Sequence, residues 1–275
     1  MRNNMRVQLR GHRETGFTLI ETMVTLGVLV LVLGIVFSYI GRLQRVYKSE
    51  ETKVDATQEA RTVLDSMERE LHQAGFPGHN MWGPNVLNVP ILNDKRNAVG
   101  IVKISPSDLW FEGDTDNDGR VESIRYTLMD AAGAPVTAAS TCPCNLQRSQ
   151  VLKQDGTAPT AQPTNYVVAL DTVINSGGVG AGGAALALAG NTTFATGTSV
   201  ANDVLYAAYK TPAIFTAYDQ NGTVVAATDI TANPTGIATI RTITINLDLL
   251  TVFSDTQTKM RPPVTMRTTV KLSNY

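Results

Sequence analysis

The sequence predicts an α+β protein, in which one long helix near the N-terminus leads into a mostly antiparallel sheet. Three observations carry this. An apolar run from Phe17 to Ile40 passes without a break into a stretch whose apolar residues recur at helical spacing. Gly75 and Pro77 then end that pattern together. Beyond them, short runs rich in Val, Ile, Thr, Tyr and Phe alternate with Gly, Asn, Asp and Pro, the composition of strands and their turns.

The first sixteen residues are polar and basic, with Arg2, Arg6, Arg10 and Arg13 against the single Glu14. Excess positive charge beside an apolar span holds that end in the cytoplasm, so the chain is oriented N-in, C-out. Phe17 to Ile40 is 24 residues, long enough at about 1.5 Å per residue to cross a hydrocarbon core. One charge interrupts it. A carboxylate in a membrane helix costs about 2.5 to 3.5 kcal/mol at the centre and less near an end, so Glu21 needs a partner or a purpose. An ordinary secretory signal has a shorter apolar core with a small-x-small cleavage site after it. Here the small residue at the polar/apolar border is Gly16, which precedes the core, and a cut after it would leave the apolar helix as the new N-terminus.

From Gly41 onward the helix becomes amphipathic. Val46, Tyr47, Val54, Thr57, Ala60, Leu64, Met67 and Leu71 define one face, while Arg61, Asp65 and Arg69 alternate in sign at i, i+4 steps on the other. A helix from Phe17 to Ala74 would be about 85 Å long. Gly27, Gly34 and Gly41, seven apart, fall on nearly one face, where they either let neighbouring helices approach or reflect the ordinary frequency of glycine in membrane helices.

Strands are expected at Ala98–Ile104, Leu109–Glu112, Val121–Met129, Tyr166–Val173, Asp203–Lys210, Ala213–Tyr218, Ile237–Leu249 and Val264–Leu272. Asn221-Gly222 reads as a two-residue type I′ hairpin turn. Asp155–Thr164 and the Gly/Ala/Thr-rich Asn175–Gly197 read as loops. No composition shift divides the region from residue 76 to 275, so it reads as one globular domain.

Several residue groups carry candidate chemistry. Asp114, Asp116 and Asp118 with Gly119 occupy positions 1, 3, 5 and 6 of an EF-hand loop, where alternating oxygens converge on Ca²⁺. Position 12 holds Arg125 where that loop has a bidentate Glu, and the flanks read as strands, so Glu122 or water would have to complete a weaker site. The alternative is an acidic hairpin turn that uses these residues for their turn propensity. Cys142 and Cys144 are the whole cysteine inventory. In an extended chain their side chains point to opposite sides, near the limit of disulfide reach, so an intraloop bridge, intermolecular bridges and free thiols all stay open. Gly178, Gly180 and Gly183 fit G-x-G-x-x-G, but no βαβ unit surrounds them, and they read as a loop. His72 and His79 have no Ser, Cys or Asp placed to form a nucleophilic set, and no enzyme is visible. No cofactor is required; Ca²⁺ is the ion for which a site is offered.

The sequence Gly16-Phe17-Thr18-Leu19-Ile20-Glu21, ahead of a span of this length, resembles the class III leader of type IV prepilins and pseudopilins. The resemblance implies cleavage between Gly16 and Phe17 by prepilin peptidase, N-methylation of Phe17, and an assembly role for Glu21 in neutralising the new α-amino group. The segments would then be a cleaved leader over 1–16, a transmembrane and filament-core half-helix over 17–40, an amphipathic half over 41–75 and a β-rich domain over 76–275, in a type IV pilin-like fold. Of the 23 basic and 24 acidic residues, four and one respectively leave with the leader, so the mature chain carries 19 and 23 and offers no blanket attraction to nucleic acid. Gln58-Glu59-Ala60-Arg61, Glu68-Arg69-Glu70-Leu71 and Gln73-Ala74-Gly75-Phe76 are similar to the helix end of PilW-type minor pilins and J-type pseudopilins; Ile124-Arg125-Tyr126 and Arg267–Asn274 resemble strands of that group. This implies a minor pilin inserted in the inner membrane, single-pass with its C-terminal domain periplasmic, whose partners are other pilin or pseudopilin subunits and the inner-membrane assembly platform, and whose destination is a pilus or pseudopilus and the cell surface. A type II secretion pseudopilin, or an adhesin or Ca²⁺-dependent binding module on a pilin anchor, are the alternatives.

Overall fold

The structure, a computed structural model, describes residues 16–83, 85–255 and 257–273. Arg2, Arg6, Arg10, His12, Arg13 and Glu14 of the basic leader, and Asn274, the last residue of the Arg267–Asn274 stretch, lie outside the described residues. The chain divides into two compact units, Met1–Tyr47 and Lys48–Tyr275. Helix α1 runs from Leu19 to Gln73. Its apolar first half is long and apolar enough to cross a membrane by length and composition. Gly75, at φ 82, then takes the left-handed conformation that glycine adopts most cheaply and turns the chain out of the helix.

In the second unit α1 buries Ala60, Leu64, Met67 and Leu71, spaced four, three and four apart as one helical face requires. The buried face is shorter than the apolar pattern suggests. Val54 is exposed, and the half-buried Ala56 is the nearer contributor to the core. The expected Arg61/Asp65/Arg69 ladder also differs: Arg69 Nε donates to the Asp65 main-chain carbonyl at 3.3 Å, not to its carboxylate.

The strands are β1 (Gly100–Ser105), β2 (Asp108–Gly113), β3 (Glu122–Met129), β4 (Thr141–Cys142), β5 (Cys144–Leu152), β6 (Tyr166–Val173), β7 (Ala187–Leu188), β8 (Asn191–Thr193), β9 (Ser199–Ala201), β10 (Phe215–Tyr218), β11 (Val224–Val225), β12 (Thr228–Asp229), β13 (Thr242–Leu250) and β14 (Pro263–Lys271). The main sheet follows the order β11-β10-β13-β6-β5-β3-β2-β1-β12, with β14 also paired to β13, and all its pairings are antiparallel. Its two terminal strands, β11 and β12, are separated by Ala226 and Ala227 alone. The core gathers the α1 face with Phe111, Ile124, Tyr126, Leu146, Ile243 and Leu247.

Three expectations are corrected. Asp203–Lys210 is not a strand but two short helices, α2 (Asn202–Leu205) and α3 (Ala207–Lys210). Asp203 is fixed there by the Leu188 N–H and an ion pair with Lys210, and the buried Tyr206 exchanges hydrogen bonds with the Arg261 main chain. The strand expected from Ile237 starts at Thr242, because helix α4 (Pro234–Thr239) occupies its beginning. Asn233 caps that helix by accepting from Gly236 N–H at 2.9 Å, with Pro234 at the first helical position. At Asn221-Gly222 only Gly222 has positive φ, and the turn closes from Gly222 N–H to the Asp219 carbonyl, so it is not type I′. Sequence reading also passed over β5, a central strand, whose Asn145, Gln147, Arg148 and Gln150 dilute the apolar signal.

Two of those polar residues, Arg148 and Gln150, serve the helix–sheet interface. Arg148 Nη2 donates to Glu70 Oε1 at 2.8 Å and to Gln150 Oε1 at 2.7 Å, and Tyr126 OH donates to Glu70 Oε2 at 2.8 Å. Burial and the adjacent Glu70 carboxylate hold the Tyr126 phenol well above its ordinary range. Asp108, at the start of β2, accepts from Arg125 at 2.7 and 2.8 Å and pairs with Lys103 at 2.7 Å. Burial raises its pKa, but these two cations outweigh the burial and the net shift is downward. At the other end of β2, Glu112 and Lys153, both with fully buried side chains, pair at 2.6 Å. Lys153 Nζ also donates to the Leu92 and Asn97 carbonyls at 2.7 and 2.8 Å, which ties the 76–99 connection to the sheet.

Glu70→Ala should leave Arg148 and the Tyr126 hydroxyl half-buried without their acceptor and cost about 2 kcal/mol, since removing one partner strands the other. A thermal melt followed by circular dichroism reads this as a lower Tm, and an unchanged Tm would show that the network does not hold α1 to the sheet.

Candidate functional site

The first candidate is the start of α1. Gly16, Phe17 and Thr18 precede the helix, and Phe17 is 78% exposed. Thr18 caps α1: Glu21 N–H lies 3.4 Å from Thr18 Oγ1 and 3.0 Å from its carbonyl, and Thr22 N–H bonds that carbonyl at 3.2 Å. Thr18 and Glu21 therefore have the T-x-x-E spacing of a capping box. Sequence reasoning missed this role of Thr18, although the spacing was its signal. Glu21 thus sits in the first helical turn, where the helix dipole favours an anion. Gly27, Gly34 and Gly41 lie further along this half, and a Cβ at any of them would meet nothing within 4 Å.

The second candidate is the loop between β2 and β3, which is fixed to the end of α1. Gly75 N–H donates to the Glu112 carbonyl at 2.9 Å, and Asp114 N–H to the Phe76 carbonyl at 2.8 Å. The two main chains approach so closely that a Cβ on Gly113 would lie 2.6 Å from the Gln73 carbonyl oxygen. From there the chain curls through Asn117 at φ 60 and Gly119 at φ 85, the latter at the position where an EF-hand loop has its glycine.

The curl gathers Asp114, Asp116, Asp118 and Glu122, each of which offers an oxygen within 4.8 Å of the others. Asp114 and Glu122 are buried, Asp116 and Asp118 exposed. Part of their capacity shapes the turn: Asp114 accepts from the Asp118 and Gly119 N–H groups at 3.1 and 2.9 Å, Asp118 from Arg120 N–H at 2.8 Å, and Glu122 Oε2 from Thr115 N–H at 2.8 Å. Burial raises the Glu122 pKa, and the charges of Asp116 and Asp114 add to that effect. Such mutual repulsion is what a cation relieves, so this acidic cluster can hold a metal ion. Arg125, at position 12, is directed to Asp108 and stacks over Trp110 at 4.6 Å, contributing nothing to the loop.

Cys142 and Cys144 form a disulfide with a Cα–Cα distance of 4.5 Å. The expectation that their side chains diverge assumed an extended chain, whereas the chain bends at Pro143 between β4 and β5. Gly178–Gly183 is a loop with one 3₁₀ turn, Ala181–Gly183, and no helix opens after it. His72 lies 3.9 Å from Glu68, and His79 begins a 3₁₀ turn.

Residues 11–37 match a family model described as the prokaryotic N-terminal methylation motif, so the chain carries the N-terminal motif of prepilin-type proteins across Gly16, Phe17 and Glu21. No curated protein and no solved structure matches the chain. The motif implies a pilin-like or pseudopilin-like structural subunit, processed by prepilin peptidase and assembled with other pilins, and the helix that bears it suggests membrane anchoring.

The disulfide has a direct test. Iodoacetamide applied to the unfolded, unreduced chain should add no carbamidomethyl group by intact mass, and after reduction it should label both Cys142 and Cys144.

Proposed function

We propose that the chain is a minor pilin or pseudopilin, cut between Gly16 and Phe17, methylated on Phe17 and built through α1 into a filament or its initiating tip complex. One observation carries this reading: the methylation motif covers a Gly-Phe junction that lies directly before a capped apolar helix with Glu21 in its first turn. Cleavage creates a cationic amine on Phe17, four residues before Glu21. An unpaired carboxylate and an unpaired ammonium would each pay for entering a filament core or lipid, whereas facing each other they offset both desolvation costs. Glu21 of one subunit therefore neutralises the Phe17 amine of itself or a neighbour as the helices gather. The anchor lies in the inner membrane, the β domain is periplasmic, and the assembly platform receives the subunit there. The helix end from Gln58 to Phe76 favours the PilW-type or J-type subgroup.

A second reading, supported by the cluster of Asp114, Asp116, Asp118 and Glu122, adds a Ca²⁺-dependent binding module to the same anchor. Weak, millimolar affinity suits an extracellular site of this kind. The two readings separate by phenotype: loss of filaments on deletion supports a structural subunit, and intact filaments with lost attachment support an adhesin. Loss of enzyme export in place of motility would mark a type II secretion pseudopilin.

Gly16→Leu should leave the leader attached, and N-terminal sequencing that still begins at Phe17 would refute the cleavage site. Glu21→Val should be cut normally yet fail to enter filaments, measured by their yield after shearing. Titrating millimolar Ca²⁺ into the full chain should raise its Tm, and Asp116→Asn with Asp118→Asn should abolish the shift while costing the metal-free chain no more than about 0.5 kcal/mol of stability, since both residues are exposed.

A further inference from the structure

We propose that Asn221 is a glycosylation site, at which the side-chain amide nitrogen accepts an oligosaccharide. Asn221-Gly222-Thr223 has the N-x-T spacing of an N-linked acceptor, with no proline at the middle position. A second triplet of this kind is Asn191-Thr192-Thr193. The structure separates the two. Asn191, Thr192 and Thr193 form β8, paired residue by residue with Ala201, Val200 and Ser199, and the Thr192 and Thr193 hydroxyls donate to Asn202 and Ser199. The hydroxyl two residues after the asparagine is the part of the motif that a transferase can read by hydrogen bonding, and in β8 it is already engaged.

Asn221 stands in the turn between β10 and β11, where Gln220, Asn221, Gly222 and Thr223 are all exposed. Among the described residues, the Thr223 hydroxyl bonds to no other group; only its N–H is engaged, by Asp219. A Cβ on Gly222 would meet nothing within 4 Å, so none of the described chain covers the turn there. Asp219 shapes the turn by accepting from the Asn221 and Thr223 N–H groups, both at 2.8 Å. Its carboxylate, two residues ahead of Asn221, also offers a transferase an anionic handle, whereas Ala189 offers none at Asn191. The step is a glycosyl transfer from an oligosaccharide carried on a polyprenyl diphosphate. The Asn221 amide nitrogen attacks the anomeric carbon, the C–N bond forms as the C–O bond to the diphosphate breaks, the nitrogen gives one proton to a base of the transferase, and polyprenyl diphosphate leaves. Because this donor is a lipid, the inference rests on the proposed reading of an anchored chain with a periplasmic β domain, in which donor and acceptor share one membrane and meet at high effective concentration.

The test uses full-length chain purified from the membranes of the cells that make it. Trypsin places Asn221 in peptide 211–241 and Asn191 in peptide 154–210. Asn233, also in the first peptide, is followed by proline and is no acceptor. Mass spectrometry should find a glycan on peptide 211–241 and none on 154–210. Asn221→Gln should remove it, and so should Thr223→Val, which keeps the asparagine and deletes only the hydroxyl. A bare 211–241 peptide, deamidation at Asn221-Gly222 as its sole modification, a glycan on 154–210 in its place, or a glycan that survives Asn221→Gln would each overturn the proposal. N-terminal sequencing of the same sample keeps the outcome apart from the pilin reading. A chain that begins at Phe17 with a bare 211–241 peptide refutes the glycan and keeps that reading, while a glycosylated chain that still carries its leader does the reverse.

Discussion

The contact between the end of α1 and the start of the β2–β3 loop organises the rest of the molecule. The Gln73 carbonyl occupies the space a side chain on Gly113 would need, and the hydrogen bonds of Gly75 and Asp114 close around that point. Only glycine permits so close a main-chain approach. The contact sets where α1 ends, fixes the first ligand-type residue, Asp114, and leads the chain into the 76–99 connection. The acidic loop is thus an extension of the helix terminus, held rigidly although it lies on the surface.

Around this point the second unit places several buried and half-buried ion pairs close together. Glu112 with Lys153, Asp108 with Arg125 and Lys103, and Glu70 with Arg148 all lie on or beside β2, β3 and β5. Buried pairs contribute little net stability compared with apolar residues of similar volume, but breaking one leaves a stranded charge, so they penalise alternative packings strongly. Glu112 with Lys153 and Glu70 with Arg148 join elements distant in sequence, whereas Asp108 ties together the neighbouring strands β1, β2 and β3. Lys153 reads the position of the 76–99 connection through two of its carbonyls, and Glu70 reads the register of β3 against β5 through Tyr126 and Arg148.

The sequence made legible whatever rests on periodicity or on a local motif. The long helix, its stop at Gly75, the strands around Phe111, Ile124, Ile243 and Val270, and the clustering of Asp114, Asp116, Asp118 and Glu122 all follow from spacing alone. What it hid depended on partners elsewhere in the chain. β5 carries Arg148 to meet Glu70 of the helix and Gln150 to meet Arg148. Asp203–Lys210 is helical because Leu188 and Arg261 receive its side chains. The bend at Pro143 that joins Cys142 to Cys144 has no periodic signature. Asn233-Pro234 was a readable helix start, overridden in the reading by the strand-like Ile237 and Ile240 beside it.

The main sheet returns to its own beginning. β11 and β12 belong to one six-residue segment, Val224–Asp229, yet they pair with β10 and β1 at opposite ends of the strand order. That segment can satisfy both partners only where β10 and β1 lie side by side, as they do: the Ile214 and Phe215 N–H groups both donate to the Pro106 carbonyl, at 2.9 and 3.2 Å, just past the end of β1. It acts as a clasp between the two rims. Its pairings couple the two rims of the sheet, so that fraying at one strains the other.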